Sequence, residues 1–263
     1  MLIFSAFTPH TPLLLPSIGK EQLGKVEKTR QAMQELADEL YAVQPDTVVL
    51  ISEHPTSYPD AFSINLSDPY RFDLSEFGDL GFDRTFRPRI KLIDGLQRSL
   101  RREGQPVTLT SDEHLNYASA IPLALLTENL PKVELVPITY SNLDAKSHFQ
   151  FGQALKDRIM NSRHRIAVIA SGDMSHALNT SAPAGFHKDG PRFDEKIQEL
   201  IAQKNTAGLL SLKEDLIQNA AETSYKPLTM LFGLLERVSV TPSILSYEAP
   251  FGVGYLVVNF ALR

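Results

Sequence analysis

Four of the seven histidines in this 263-residue chain, His10, His54, His114 and His176, each follow an apolar run by a few residues. The other three do not: His148 and His164 sit beside the start of a helix or strand, and His187 sits in a loop. The densest group of reactive side chains is RIAVIASGDMSH at Arg165–His176. Its first half is apolar and rich in β-branched residues, the pattern of a strand buried on both faces of a parallel sheet. Its second half brings Ser171, Gly172, Asp173, Ser175 and His176 to the end of that strand. Open α/β sheets bind ligands at the carboxyl edge. Imidazoles gathered there could hold a divalent ion or move a proton near neutral pH. The chain has no cysteine, which excludes disulfides, thiolate metal sites and Cys nucleophiles. Imidazoles without thiols suit a borderline ion such as Fe(II), Mn(II) or Zn(II). No short-spaced motif such as HExxH accompanies them, so periodicity alone does not name the metal.

Strands alternating with helices must position these groups. The apolar runs predict strands at 2–7, 47–51, 61–66, 107–109, 133–138, 166–170, 243–247 and 253–261. Helical spacing predicts helices at 21–43, 90–103, 118–126, 144–160, 193–203, 212–221 and 226–236. Ser224 stands where an N-cap for the last of these belongs, with Pro227 in its first turn. Residues 68–88, with irregularly spaced Phe72, Phe77, Phe82 and Phe86, read as a long surface loop, a lid or a subunit contact. The expected architecture is α/β, one layered domain over residues 1–263, with a central, largely parallel or mixed sheet flanked by helices. Gly172, Gly252 and Gly254 are expected where backbone turns sharply or comes close to another segment.

Hydrophobic residues are 43% and charged ones 22%, with a net charge of −5. That balance belongs to a globular domain and argues against a nucleic-acid surface, which needs a basic face. The N-terminal MLIFSAFTPHTPLLLPSIGK lacks a basic n-region and is broken by three prolines. It reads as a core strand and loop, not a signal peptide. No run approaches the ~18 apolar residues of a membrane span. The expected address is the cytoplasm, with neither nucleic acid nor membrane as a partner.

Several motifs carry a resemblance that runs almost end to end: FTPHTPLLLPSIG at 7–19, VVLISEHPTSYPDAFSINL at 48–66, LSEFGD at 74–79, ASGDMSH at 170–176, GF at 185–186 and YEAPFGVGYLV at 247–257. The chain resembles the catalytic (LigB-type) subunits of class III extradiol ring-cleavage dioxygenases. Within them it is most similar to the B component of the AmmeMemoRadiSam proteins, relatives of Memo. The resemblance implies a non-haem Fe(II) held by two histidines and a carboxylate, with Mn(II), Zn(II) or Cu as alternatives. Matched motif to motif, His10 and His54 would be the imidazole ligands, His176 the acid/base, and His114 the second-sphere histidine that meets the substrate. The family's glutamate matches Glu222 in AAETSYKPL, while strand-end logic favours Glu248. Asp173 would orient His176 or a ligand, or simply form the turn after its strand. The implied reaction is ring cleavage of a catecholic aromatic by O₂, and Arg71, Arg84 and Arg87 could meet a substrate carboxylate. A covering second chain or partner subunit is implied too, with 68–88 available for that contact. Two features depart from the family pattern. Glu53 and Pro55 flank His54 where many relatives have proline and glycine, so that Glu53 would stand as a second carboxylate beside the metal and tune it, or merely face solvent. A tight Asp-His-Gly is here Asp112-Glu113-His114-Leu115. A Memo-like metal-binding or partner-binding protein without oxygenase turnover, or a zinc hydrolase using His176 as base, would share these residues.

Overall fold

The computed structural model describes residues 1–54, 57–72, 74–79 and 84–263. Its strands are β1 (Leu2–Thr8), β2 (Thr47–Ser52), β3 (Phe62–Asn65), β4 (Tyr70–Phe72), β5 (Thr85–Phe86), β6 (Val107–Thr110), β7 (His114–Leu115), β8 (Glu134–Thr139), β9 (Ile166–Ser171), β10 (Val240–Glu248) and β11 (Tyr255–Leu262). Its helices are α1 (Pro16–Gly19), α2 (Glu27–Val43), α3 (Ile90–Arg102), α4 (Tyr117–Leu126), α5 (Ala145–Met160), α6 (Asp189–Ala202), α7 (Thr206–Leu210), α8 (Glu214–Ala220) and α9 (Tyr225–Leu235).

Eight strands form one mixed sheet in the order β10-β11-β1-β9-β2-β8-β3-β6. Its centre, β1-β9-β2-β8, is parallel throughout, while β11 and β3 run antiparallel to their neighbours β1 and β8. Every residue of β2 and β9 is buried, as befits strands covered on both faces. Alternation then sorts side chains between two cores. Val49, Ile51, Val168 and Ala170 join α3, α5, α6 and α9 on one face, while Val48, Leu50, Ala167 and Ile169 join α2 and α4 on the other. In α3 the buried residues Leu92, Ile93, Leu96 and Leu100 recur at the spacing of one helical face.

Four expectations are corrected. Residues 68–88 are not simply a surface loop: β4 and β5 lie in a second, three-stranded sheet with β7, and Tyr70, Phe72 and Phe86 are buried. Aromatic burial overrides the polar, glycine-containing composition there; Phe82 lies outside the described residues. The segment at 20–26 is 3₁₀, so α2 starts only at Glu27. A short helix, α7, stands at Thr206–Leu210, where the sequence suggested none; Asn205 caps it by accepting from Gly208 N. Ser224 occupies the N-cap of α9, but its side chain does not cap the helix. The carboxylate of Glu222 does so instead, accepting from Tyr225 N and from the Ser224 hydroxyl.

Candidate functional site

The register of the parallel strands determines what meets at their carboxyl edge. Thr8 of β1 lies opposite Ser171 of β9, Ile51 of β2 opposite Ala170, and Ser52 opposite Thr139 of β8. The strands therefore end level with one another. Just past those ends come His10, Asp173, Glu53 and Tyr140, one from each strand. Tyr117, in the first turn of α4, packs its ring edge-on to His10 with centroids 5.5 Å apart.

His10 is 2% exposed and is held from two sides. Its backbone N–H donates to Asp173 Oδ1 at 2.9 Å, and its Nδ1 lies 3.2 Å from Ser171 Oγ. The Ser171 hydroxyl donates its one hydrogen to Ala118 O at 3.1 Å, so its oxygen accepts from His10 Nδ1–H. Those partners leave the imidazole lone pair on Nε2. That nitrogen faces Glu53 Oε1 at 3.8 Å and Asp173 Oδ2 at 3.9 Å, too far for hydrogen bonds. The Glu53 carboxylate is gripped at both oxygens, by Tyr117 OH at 3.2 Å and Tyr140 OH at 3.3 Å. Burial pushes His10 down to about 4, against the smaller opposing pull of Glu53. Burial also pushes Asp173 up to about 6, and both phenols well above their ordinary range.

A lone pair and two carboxylates facing one point repel each other unless positive charge lies between them. In donor chemistry the residues fit a divalent ion, which would find nitrogen and oxygen ligands there. Among the described residues, no group of three or more His, Asp or Glu side chains is already arranged to hold a metal.

The remaining expected residues fall in three places. Glu222 lies beside Asp173, because Thr223 N donates to Asp173 O at 3.0 Å and Asp173 N to Thr223 Oγ1 at 2.9 Å. Gly172 permits that approach, since a Cβ there would lie 2.6 Å from Ser224 Cα. Burial pushes Glu222 up to about 7, with its bonds to Tyr225 and Ser224 opposing. Lys226 stands 5.3 Å over the Tyr140 ring and donates to Asn142 Oδ1. Glu248 is engaged elsewhere: its Oε1 accepts from Thr29 N at 2.7 Å and Thr29 Oγ1 at 2.6 Å, tying β10 to the first turn of α2.

His176 is half-buried, and its Nδ1 is buried with no hydrogen-bond partner among the described residues. Its nearness lowers Asp173, the smaller effect set against burial. His54 and His114 share a cleft of about 450 Å³ with Glu76, Asp112 and Asn116. His114 does not arrive there from an end of the parallel strands. The strand before it, β6, pairs parallel with β3, which runs antiparallel to β8; His114 itself is exposed on β7 and paired opposite Arg71 of β4. Arg71 in turn is bound to Glu113, and Arg84 reaches the carbonyls of Ala124 and Thr127.

Sequence reasoning missed Tyr117 and Tyr140. Tyr140 could have been found, because it directly follows the Val133–Ile138 run, as Asp173 follows its own strand. Tyr117 carried no comparable signal.

Behind the site, buried Asp194 accepts from Ser175 N at 2.8 Å and Tyr247 OH at 2.6 Å. A Cβ at Gly254 would lie 2.2 Å from Asp194 Oδ2, so this close fit requires glycine. Burial raises Asp194 from 3.8 to about 6, with the two hydrogen bonds opposing. The folded state thus holds this proton more tightly than the unfolded chain does. The stability contributed is full below about pH 4 and is lost as pH rises through about 6, roughly 3 kcal/mol in all. Asp194→Asn should flatten the fall in stability over that window, measured by urea melts at pH 4, 5, 6 and 7. Parallel slopes in both proteins would contradict the assignment.

A mixed sheet whose parallel centre delivers His, Glu and Asp to one edge places them where open α/β sheets bind ligands. The model of the catalytic LigB subunit of aromatic ring-opening dioxygenase matches residues 5–258. The chain belongs to that family. It is 25% identical over 260 residues to protein CA_C1420 of Clostridium acetobutylicum, a match covering 95% of this chain and 56% of that protein. The chain therefore spans about half the length of the curated relative it matches. The crystal structure of the uncharacterized protein JW3007 from Escherichia coli K12 superposes with a TM-score of 0.70 at 18% identity, covering 98% of this chain and 100% of that one. That likeness shows the shared fold. LigB-family dioxygenases are typically metal-dependent. No helix among the described residues is long and apolar enough to cross a membrane.

Proposed function

We propose that the protein is an extradiol-type, Fe(II)-dependent dioxygenase that opens the ring of a catecholic aromatic with O₂. The observation that supports it best is the unshared Nε2 lone pair of His10, aimed between two carboxylates at the carboxyl edge of the sheet. His10 and His54 would supply imidazoles to the ion and Glu222 a carboxylate, as the family resemblance implies. When bound, the ion acidifies the catechol hydroxyls and holds both reactants in contact.

The chain's own residues supply the rest. His176 takes a proton from a substrate hydroxyl oxygen and returns it as the ring opens. Asp173 holds the His10 backbone with one oxygen. Tyr117 and Tyr140 keep Glu53 turned toward His10.

Protein prepared anaerobically with Fe(II), then given a panel of catechols under O₂, should consume about one O₂ per catechol and form yellow ring-opened product. An iron-loaded preparation that consumes no O₂ with any of them would overturn the proposal. A Memo-like protein of the same fold without turnover is the second reading. It is favoured by exposed His114 standing on β7 in place of a tight Asp-His-Gly, and it predicts metal binding without O₂ uptake.

A further inference from the structure

We propose that Glu53 is itself a ligand to the ion that His10 binds, so that the second parallel strand contributes a carboxylate as well as a histidine. The inference rests on the metal-dependent reading above and goes beyond it, since that reading gives Glu53 no bond to the ion.

Three observations converge on Glu53. The first is reach. Two donors to one ion at ~2.1 Å each can stand no more than ~4.2 Å apart. Glu53 Oε1 and His10 Nε2 are 3.8 Å apart, inside that limit. The second is orientation. A glutamate that merely faced solvent would be free to turn, but each oxygen of Glu53 accepts from a different phenol, on α4 and at the end of β8. Such outer partners fix a ligand's direction and are the usual company of a coordinating carboxylate. The third is the imidazole nitrogen opposite. His10 is 2% exposed, its Nδ1 faces Ser171, and its Nε2 points at Glu53 without a hydrogen bond. Asp173 Oδ2, 3.9 Å from the same nitrogen, adds a second negative charge.

An added carboxylate beside imidazole shifts a site toward Mn(II) and Fe(II) and away from softer preferences. Mn(II) is therefore the probe, titrated into the full chain and followed by its EPR signal. Glu53→Gln keeps the shape and one acceptor for a phenol while removing the charge. It should weaken Mn(II) at least tenfold and leave the thermal midpoint of the metal-free protein within a few degrees. The paired change Tyr117→Phe with Tyr140→Phe frees Glu53 without removing it, and should weaken Mn(II) by a smaller factor. In the Co(II)-loaded protein, Glu53→Gln should also alter the visible d–d bands. Mn(II) affinity within threefold of wild type for a folded Glu53→Gln protein would overturn the inference while leaving the metal-dependent reading intact. If the unaltered protein binds neither Mn(II), Fe(II) nor Zn(II), the parent reading fails and this one falls with it.

Discussion

His176→Gln is expected to slow ring opening by ~10²–10⁴, the usual worth of a positioned general acid/base. The residue lies three positions beyond Asp173, on the turn that leaves β9. Its backbone N–H donates to Ala220 O at 2.9 Å, and its carbonyl accepts from Ala184 N at 3.1 Å. Those bonds do not involve the ring, so glutamine should preserve the path of the chain. What is lost is a group that both accepts and returns a proton. The signature of that loss is specific: the limb of the pH–rate profile that reports the base should disappear, and added imidazole should restore part of the rate. Iron content should be unchanged. Turnover within threefold of wild type would remove His176 from the chemistry, as would a fall in rate matched by a fall in bound iron.

The second large effect concerns His10→Ala. Loss of an outer-shell partner typically costs 10–100-fold in metal affinity, and loss of a ligand should cost more. We expect Fe(II) or Mn(II) binding to weaken by over 100-fold, measured by calorimetric titration. The bond to Asp173 comes from the His10 backbone rather than its ring, so alanine keeps it. The cavity left behind lowers stability by about 2–4 kcal/mol on the scale of other large-to-small core changes, so thermal melts must show that the variant is folded. A folded His10→Ala protein that binds metal as tightly as wild type would contradict the assignment.

The frame of this site was legible in the sequence because buried parallel strands are unbroken apolar runs. The runs at 47–51 and 166–170 needed nothing beyond hydrophobicity and length to be placed, and the chemistry-bearing residues follow them directly. Gly172 was also legible, since a glycine just past a buried strand signals close backbone approach. Residues 68–88 were not. Of their two short strands, β4 pairs both with β5 and with the distant β7, Arg71 lying opposite His114, while β5 pairs with β4. Aromatic burial that polar neighbours disguise adds to this. The partners of the carboxylates were illegible for a related reason. Nothing near Glu248 in sequence foretells Thr29, and nothing near Glu53 foretells Tyr117. Likewise, Ser224 follows a sound rule for helix starts, yet the longer side chain of Glu222 reaches the free N–H first.

The most direct measurement is anomalous diffraction from a crystal grown with Mn(II) or Fe(II). A single strong peak within ~2.3 Å of His10 Nε2, on the side facing Glu53, is the expected result. Should the bound ion appear away from His10, or no peak form at that edge of the sheet in crystals whose protein carries metal, strand ends would not be gathering these side chains around a metal.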